Sequence, residues 1–364
     1  MVCDRCGPSR EEGYSFCPEC GNPLKEGCIY CAQYEKEGYE FCGKCGKPLN
    51  PGKAQGPSGP PDVTRLGPMI AMPFVIILLV LELGMCLVYA PEAWSVVAGN
   101  TYNILMLLPM VTVVGTMTGT TAQIVWVLLL ISVLASAAVF IYQSLPMFKP
   151  DKNGDTSRAE RTPLYWLCIL WGPLTILELI IIGISVALGA DFVPPDLPET
   201  IGELAFIACD AAVWEEVIAR ILPIGIPMAI IAACYGRKDF LRYLLGGCGI
   251  SRLSVVLIVL SSLVFGFAHM EGWGLAKVIP TFLAGLVMGY LFVRFGVHAS
   301  IMFHFITDAI MMFMASNGLS ILVSSLMILI LIASVICIPA LFRNLKAGAE
   351  NAKNIPVTGF EKTN

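Results

Sequence analysis

Four ionisable side chains interrupt an otherwise apolar run in the second half of the chain. The stretch DAAVWEEVIARILP (210–223) contains Asp210, Glu215, Glu216 and Arg220. Glu216 and Arg220 are four residues apart with the acid on the N-terminal side, which is the favourable order for an ion pair on a helix. Each helical residue advances by about 100°, so Glu215 faces another direction. This spacing predicts that Arg220 neutralises Glu216 structurally and that Glu215 is free for chemistry.

Two histidines further along the chain also have partners at helical spacing. FGFAH places Phe265 and His269 at i,i+4, and HFITD places His304 and Asp308 at i,i+4. A carboxylate one turn from an imidazole can orient the ring or increase its basicity. If the three helices pack together, these groups and Glu215 share one dry cavity. A water held between Glu215 and His269 could then lose a proton readily.

Each polar feature alone also has a structural explanation. A single histidine or a single Glu–Arg pair in an apolar helix often serves only as a contact between helices. Three such features in neighbouring helices favour a functional site. We interpret Glu82, Glu178 and Asp210 as structural residues. Of the three, Asp210 is the best candidate for a functional role, because it shares the helix of Glu215.

The composition indicates a membrane protein. The 364 residues are 56% hydrophobic and only 14% charged, with a mean hydropathy of +0.75, whereas soluble domains carry about 25% charged residues. The net charge of −4 is small, and no nucleic-acid partner is expected. An ionisable group inside a bilayer costs several kcal/mol unless it is paired, which makes it a candidate functional group by default.

We predict an all-α polytopic fold with about eight transmembrane helices, because a backbone surrounded by lipid must satisfy its own hydrogen bonds. The predicted spans are 69–89, 123–147, 163–189, 201–234, 253–270, 276–295, 297–316 and 319–341. The segment 103–120 contains Pro and Gly and is predicted to be re-entrant or peripheral. The membrane domain therefore covers 69–345, with its functional core at about 201–316, and 346–364 is predicted to be a tail.

The basic residues predict an orientation. With the N-terminus inside, the inner connections 148–162 and 235–252 each carry four Lys or Arg, whereas the outer connections 90–122 and 190–200 carry none and Lys277 is alone in its turn. Cytoplasmic loops are enriched in Lys and Arg. The sequence thus predicts a multi-pass protein of the cell membrane with both termini, including the 346–364 tail, in the cytoplasm.

Two cysteine repeats precede the membrane domain. Residues 3–24 and 28–49 both read C-x2-C-x10-C-x2-C, and their ligands are Cys3, Cys6, Cys17, Cys20, Cys28, Cys31, Cys42 and Cys45. Four thiolates in two close pairs suit tetrahedral zinc, and this pattern resembles the zinc-ribbon family. Disulfides are disfavoured because a cytoplasmic location keeps thiols reduced. We predict two structural Zn²⁺ ions in tandem ribbons over 1–49, a Pro/Gly linker at 50–68, and a protein partner for the ribbons.

The three membrane motifs resemble those of a known family. EEVIAR, FGFAH and HFITD match the patterns EExxxR, FxxxH and Hxxx(N/D) of the CPBP family, which comprises CAAX prenyl proteases of type II and bacteriocin-processing (Abi) proteins. The family consists of helical intramembrane endopeptidases. The resemblance implies a protease that hydrolyses peptide bonds in a peptide or protein substrate at the membrane, without a firmly implied catalytic metal. Its substrates range from prenylated C-terminal tails to peptide precursors.

The resemblance also implies roles for individual residues. Glu215 and His269 activate the attacking water, while His304 and Asp308 face the oxyanion. The structural support of the site falls to Glu216, Arg220 and Phe265. Where some members carry Asn, this chain has Asp308, and an ionised Asp cannot donate a hydrogen bond to an oxyanion. Asp308 is therefore either protonated or orients His304.

Two other functions remain open from the sequence. One is a non-catalytic immunity or scaffold protein that retains the fold, and the other is a proton-coupled transporter, because buried Glu and His also build proton relays. No inverted repeat supports the transporter. The resemblance to enzymes that cut cytosolic tails leads us to expect a cytoplasmic opening of the site. Helix lengths, however, place His269 about 25 Å and His304 about 12 Å from the inner ends of their spans.

Overall fold

The computed structural model describes residues 63–107, 111–148, 159–194, 196–314 and 319–360. The chain divides into Met1–Pro60 and Pro61–Asn364, and all described residues belong to the second unit. The eight ribbon cysteines and most of the 50–68 linker lie outside the described residues. The predicted domain boundaries therefore stay predictions.

Apolar helices dominate the described part of the chain. Their bounds are α1 Val63–Val88, α2 Ala90–Gly99, α3 Gly119–Ser144, α4 Pro163–Ala187, α5 Ile201–Asp210, α6 Ile226–Cys234, α7 Arg252–Ala268, α8 Met270–Trp273, α9 Val278–Phe295, α10 Val297–Asp308, α11 Met311–Met314 and α12 Ser320–Asn351. Two π-helical segments, Ala211–Glu215 and Val217–Gly225, connect α5 to α6. The second of these segments contains Pro223. Proline has no backbone N–H to donate, so it interrupts the hydrogen bonds of a regular α-helix.

The predicted helical membrane fold is confirmed. Within the described residues, seven helical stretches are long and apolar enough to cross a bilayer. They are Gly67–Val88, Gly119–Phe148, Pro163–Ala187, Ile201–Cys234, Arg252–Trp273, Leu275–Phe295 and Ser320–Asn351. The remaining predicted span, 297–316, corresponds to a shorter apolar stretch, Val297–Phe313, so about eight helices build the domain.

A β-hairpin occupies the segment that we predicted to be re-entrant or peripheral. Strands β1 (Thr101–Leu107) and β2 (Val111–Thr118) pair antiparallel, with an irregularity between Ile104 and Leu105. Strand β1 contains Thr101, Tyr102 and Ile104, and β2 consists mostly of Val and Thr; these residue types favour extended backbone. The helical pattern of the other segments gave no indication of this hairpin.

One end of the domain, here called the hairpin end, is formed by the connections 89–118, 188–203 and 269–277. Hydrogen bonds join these connections: Gly202 N donates to Glu92 Oε2 at 2.9 Å, and Val193 N donates to Trp273 O at 3.1 Å. The hydroxyl of Tyr102 donates to Glu203 Oε1 at 3.0 Å. Burial raises the pKa of Tyr102 to about 12, so the phenol remains a donor over the physiological range.

The opposite end, here called the basic end, joins the other connections. Arg343 Nη2 donates to Glu160 Oε1 at 2.6 Å, and Arg294 Nη2 donates to the Glu160 carbonyl at 3.1 Å. Gly247 N donates to Phe292 O at 2.8 Å. The start of α4, the end of α9, the 235–251 connection and the end of α12 thus lie together.

The N-terminus of α7 is capped at the basic end. Ser251 Oγ accepts from Ser254 N at 3.1 Å, and Ser254 Oγ accepts from Ser251 N at 2.8 Å, which forms a reciprocal cap. The next two backbone N–H groups, of Arg252 and Leu253, donate to carbonyls of the C-terminal segment 355–360. This segment follows α12, which continues through Asn351.

Glycines allow α7 and α9 to approach closely. A Cβ atom on Gly285 would lie 2.9 Å from Ser262 Cβ, and one on Gly289 would lie 2.8 Å from Ile258 Cγ2. Both distances are shorter than real side-chain contacts, so only glycine fits at these positions. The Gly-x3-Gly spacing of Gly285 and Gly289 therefore allows the close helix approach, which positions the helix that ends before His269.

Candidate active site

Glu216 lies at the centre of a buried polar cluster. Its side chain and that of Arg220 have no exposed surface, and Arg220 Nε lies 3.5 Å from Glu216 Oε2. Ser300 Oγ donates to the same oxygen, and His304 Nδ1 lies 3.0 Å from Glu216 Oε1. The carboxylate thus connects the π-helical segment with α10. A buried charge needs such partners because an unpaired one is strongly destabilising.

Arg220 is held from the α7 side. Its Nη1 donates to Ala219 O at 3.0 Å and to Ser261 Oγ at 3.3 Å. The guanidinium carbon lies 5.0 Å from the centre of the Phe265 ring, within the range of a cation–π contact. Phe265 also meets the ring edges of His269 and His304, at centroid distances of 4.7 and 6.1 Å.

Glu215 points away from this cluster, toward two histidines. Its Oε2 lies 3.8 Å from Nε2 of His269 and 3.8 Å from Nε2 of His304. These distances exceed a direct hydrogen bond and suit a bridging water. The side chain of Glu215 keeps 31% of its surface exposed, whereas Glu216 keeps none. Adjacent acids in the chain therefore have different surroundings.

The two rings are oriented through their other nitrogens. His269 forms the C-cap of α7, and its Nδ1 lies 2.9 Å from Phe265 O, which makes Nδ1 the donor to that carbonyl. Each nitrogen of His304 faces a carboxylate: Nδ1 faces Glu216, and Nε2 lies 3.3 Å from Asp308 Oδ2. A ring fixed in this way cannot turn without losing a polar partner.

Two cavities meet at Glu215. The first, here called the α4 cavity, has a volume of about 520 Å³ and lies between α4, α9 and α10, where Glu178, Asp196 and Thr307 belong to its lining. The second, here called the hairpin cavity, has a volume of about 300 Å³ and lies against β1. The residues that line both are Glu215, Phe265, His269 and Trp273. The polar centre is therefore accessible from two sides.

The structure brings the candidate residues of all three motifs together. Glu215, Glu216, Arg220, Phe265, His269, His304 and Asp308 all belong to this one cluster. Asp210 lines the hairpin cavity and Glu178 the α4 cavity. Glu82 is fully buried in α1, and neither of its carboxylate oxygens has a hydrogen-bond partner among the described residues.

Sequence reasoning missed two serines of the cluster. Ser300 precedes His304 by four residues, and Ser261 precedes Phe265 by four, so helical spacing places each on the same face as its motif residue. Small polar residues at that spacing are the signal that could have identified them. Across the described ranges, no group of three or more His, Cys, Asp or Glu side chains is arranged to hold a metal.

Comparisons with known families agree with the two resemblances found in the sequence. Residues 198–310 match the family model of type II CAAX prenyl endopeptidase Rce1-like proteins. Residues 3–46 match the double zinc ribbon model. The predicted family and the N-terminal ribbons are thereby confirmed, and an intramembrane protease of the CAAX type is supported. No curated protein and no solved structure matches the chain.

Proposed function

We propose that this protein is an intramembrane endopeptidase that cuts peptide bonds with a water activated by Glu215 and His269. The observation that carries the proposal is the position of Glu215 Oε2, which lies 3.8 Å from two histidine Nε2 atoms where two cavities meet. A general base must reach its water within hydrogen-bond distance, directly or through one water, and this arrangement satisfies that condition.

The chemistry follows from the surrounding groups. The water oxygen attacks the carbonyl carbon of the scissile bond as its proton passes to Glu215, and the carbonyl oxygen becomes an oxyanion near His304. The C–N bond then breaks, and the proton held by Glu215 moves to the departing nitrogen. His269 orients the water because its Nδ1–H is committed to Phe265 O, which leaves Nε2 as an acceptor.

His304 is proposed to stabilise the oxyanion. A carboxylate near each ring nitrogen fixes the ring and holds Nε2 beside Asp308 and Glu215, where we propose that its N–H also reaches the oxyanion. Donors that need no reorganisation during the reaction are worth about 10²- to 10³-fold in rate. Glu216 and Arg220 are positioning residues in this scheme, because they hold the site together and do not line either cavity. Phe265 lines both cavities and is proposed to support the rings of His269 and His304.

The substrate is proposed to be a peptide segment in extended form. The α4 cavity and the hairpin cavity share Glu215 and His269, so a chain that enters one cavity can leave through the other with its backbone beside Glu215. Trp273 lines both cavities and offers an apolar surface to a substrate side chain.

The orientation and the ribbons complete the proposal. We propose a multi-pass protein of the cell membrane with its basic end and both termini in the cytoplasm. The chemistry of the eight thiols suits two structural Zn²⁺ ions, which supply folding energy to units with little apolar core. In this cytoplasmic position the ribbons are proposed to contact a protein partner.

Cleavage in proteoliposomes tests the function. The wild-type protein, Glu215→Gln and Glu350→Gln are each incubated with a library of fluorescence-quenched peptides. Glu215→Gln removes the base but keeps the shape, so we expect a loss of about 10²- to 10⁴-fold. Glu350 is exposed near the end of α12, lines neither cavity, and serves as the matched control with unchanged activity. Absence of cleavage by the wild type, or retained cleavage by Glu215→Gln, contradicts the proposal.

A further inference from the structure

The candidate active site opens at the hairpin end of the membrane domain. Asp196 and Leu197 line the α4 cavity, are exposed, and belong to the 188–203 connection. Glu271 and Gly272 line the hairpin cavity, are exposed, and belong to the 269–277 connection. Both connections are joined to each other by hydrogen bonds. Both cavities therefore have exposed walls at the same end.

The opposite end carries the basic residues. The contacts of Arg294 and Arg343 with Glu160 place the 145–162 connection, the end of α9 and the end of α12 at this end, and the 235–252 connection joins them through Gly247 and Phe292. These connections contain Lys149, Lys152, Arg158, Arg161, Arg237, Lys238, Arg242, Arg252, Arg294, Arg343 and Lys346.

The hairpin end is almost free of basic residues. Its connections 89–118, 188–203 and 269–277 contain Lys277 and no other Lys or Arg. Short loops rich in Lys and Arg remain in the cytoplasm during insertion, and the bias is read from the loops within about 15–20 residues of the spans. This distribution is strongly one-sided, so it orients the basic end toward the cytoplasm.

We infer that the peptidase site opens to the extracytoplasmic side of the membrane, and that its substrates are peptide segments exposed on that side. This inference rests on the proposed peptidase function and refines its substrate class. It replaces our expectation of a cytoplasmic opening, which came from the family resemblance alone. Prenylated tails made in the cytoplasm lie on the other side of the bilayer from this opening.

The test measures access to thiols at three positions in intact cells. Leu188→Cys reports on the hairpin end, where Leu188 is 83% exposed. Ala284→Cys reports on the α4 cavity itself, which Ala284 lines without touching the polar cluster. The natural Cys234 is exposed at the end of α6 on the basic side and is the internal control. A small membrane-impermeant thiol reagent is added before or after permeabilisation, and each site is quantified by peptide mass spectrometry.

The expected result is modification of Leu188→Cys and Ala284→Cys in intact cells, with Cys234 modified only after permeabilisation. The reverse pattern, or equal modification of Cys234 and Leu188→Cys in intact cells, overturns the inference. The buried Cys86 should stay unmodified in each case, which reports that the fold is intact. Failure of the proposed function is distinguished separately, because it abolishes Glu215-dependent cleavage in proteoliposomes and leaves the labelling pattern unchanged.

Discussion

At the scale of single residues, neighbouring acids have divided roles because a helix turns between them. Glu216 is fully buried and bound by Arg220, Ser300 and His304, whereas Glu215 reaches the junction of two cavities. A free carboxylate can take a proton from water, and a paired carboxylate holds its partners in place. Of these two adjacent acids, Glu216 therefore holds its partners in place and Glu215 is available for the proposed chemistry.

Asp308 is the residue whose role the proposed chemistry constrains most. It lies 3.3 Å from His304 Nε2, beside the proposed oxyanion position, and its carboxyl oxygen can accept a hydrogen bond from that nitrogen and orient the ring. Asp308→Asn keeps the shape and adds a donor, so we expect cleavage within about tenfold of the wild type. Asp308→Ala removes the contact, and we expect a loss of about 10²-fold. Equal losses in both variants, measured with the peptide library, would contradict a role as hydrogen-bond partner.

The Glu216–Arg220 pair should determine stability. Replacing either residue by Ala leaves the other charge buried and unpaired, at a cost of about 3–5 kcal/mol in the free energy of unfolding. The measurement is thermal unfolding in detergent. The control is the pair Arg237–Asp239, which lies on the surface at 3.2 Å. Its removal should leave the transition unchanged, because exposed ion pairs contribute little. Unchanged stability in Glu216→Ala and Arg220→Ala would show that the buried pair does not hold the fold.

At the scale of elements, the C-terminal segment 355–360 supports the helix that carries His269. The carbonyls of Pro356 and Val357 accept from the backbone N–H groups of Arg252 and Leu253 at the start of α7, at 2.9 and 3.0 Å. Phe360 anchors the segment, since it is only 2% exposed and packs against Tyr235 and Tyr243. Helix termini without partners for these donors are destabilised.

Removal of the Phe360 side chain should expose the N-terminus of α7 to solvent. We expect Phe360→Ala to lower the free energy of unfolding by about 3 kcal/mol, because it removes a buried aromatic side chain. Amide hydrogen exchange at Arg252 and Leu253 should also become faster. Val357→Ala is the matched control, since Val357 is 55% exposed and its backbone carbonyl is retained. Identical exchange rates in wild type and Phe360→Ala would rule out the anchoring role.

At the scale of the whole molecule, the chain joins a proposed zinc-binding unit to a membrane domain. The double zinc ribbon match covers 3–46, and the Rce1-like match covers 198–310, so the two matches lie in separate parts of the sequence. Folding of a small ribbon depends on its metal. The glutamate mechanism proposed for the membrane domain uses no zinc in any step.

Removal of residues 1–49 should separate these parts. The full chain is expected to bind two equivalents of zinc, and the truncated chain none, by elemental analysis. Cleavage of short peptides by the truncated chain should persist and should resist chelators. Stoichiometric zinc in the truncated chain together with cleavage that chelators stop would identify a metalloprotease instead. Lost cleavage without bound zinc would assign the ribbons to substrate recruitment.

The sequence by itself determined the helical membrane fold, the tandem ribbons and the family, because hydropathy, cysteine spacing and i,i+4 spacing are local properties of the chain. Local spacing also paired Glu216 with Arg220. It could not show that His304 contacts Glu216 on another helix, or that a hairpin forms one wall of the site. Those contacts depend on how distant segments pack.

The relative depth of His269 and His304 along their helices also depends on how distant segments pack, so only the tertiary structure decided it. Counting residues along helices placed His269 and His304 at different levels, yet both face the same oxygen of Glu215. Helix length gives depth only when a helix is parallel to the membrane normal and begins at the membrane surface. The end at which the cavities open is likewise a property of packed connections, since residues 193 and 273 are far apart in the chain and their backbones meet only in the fold.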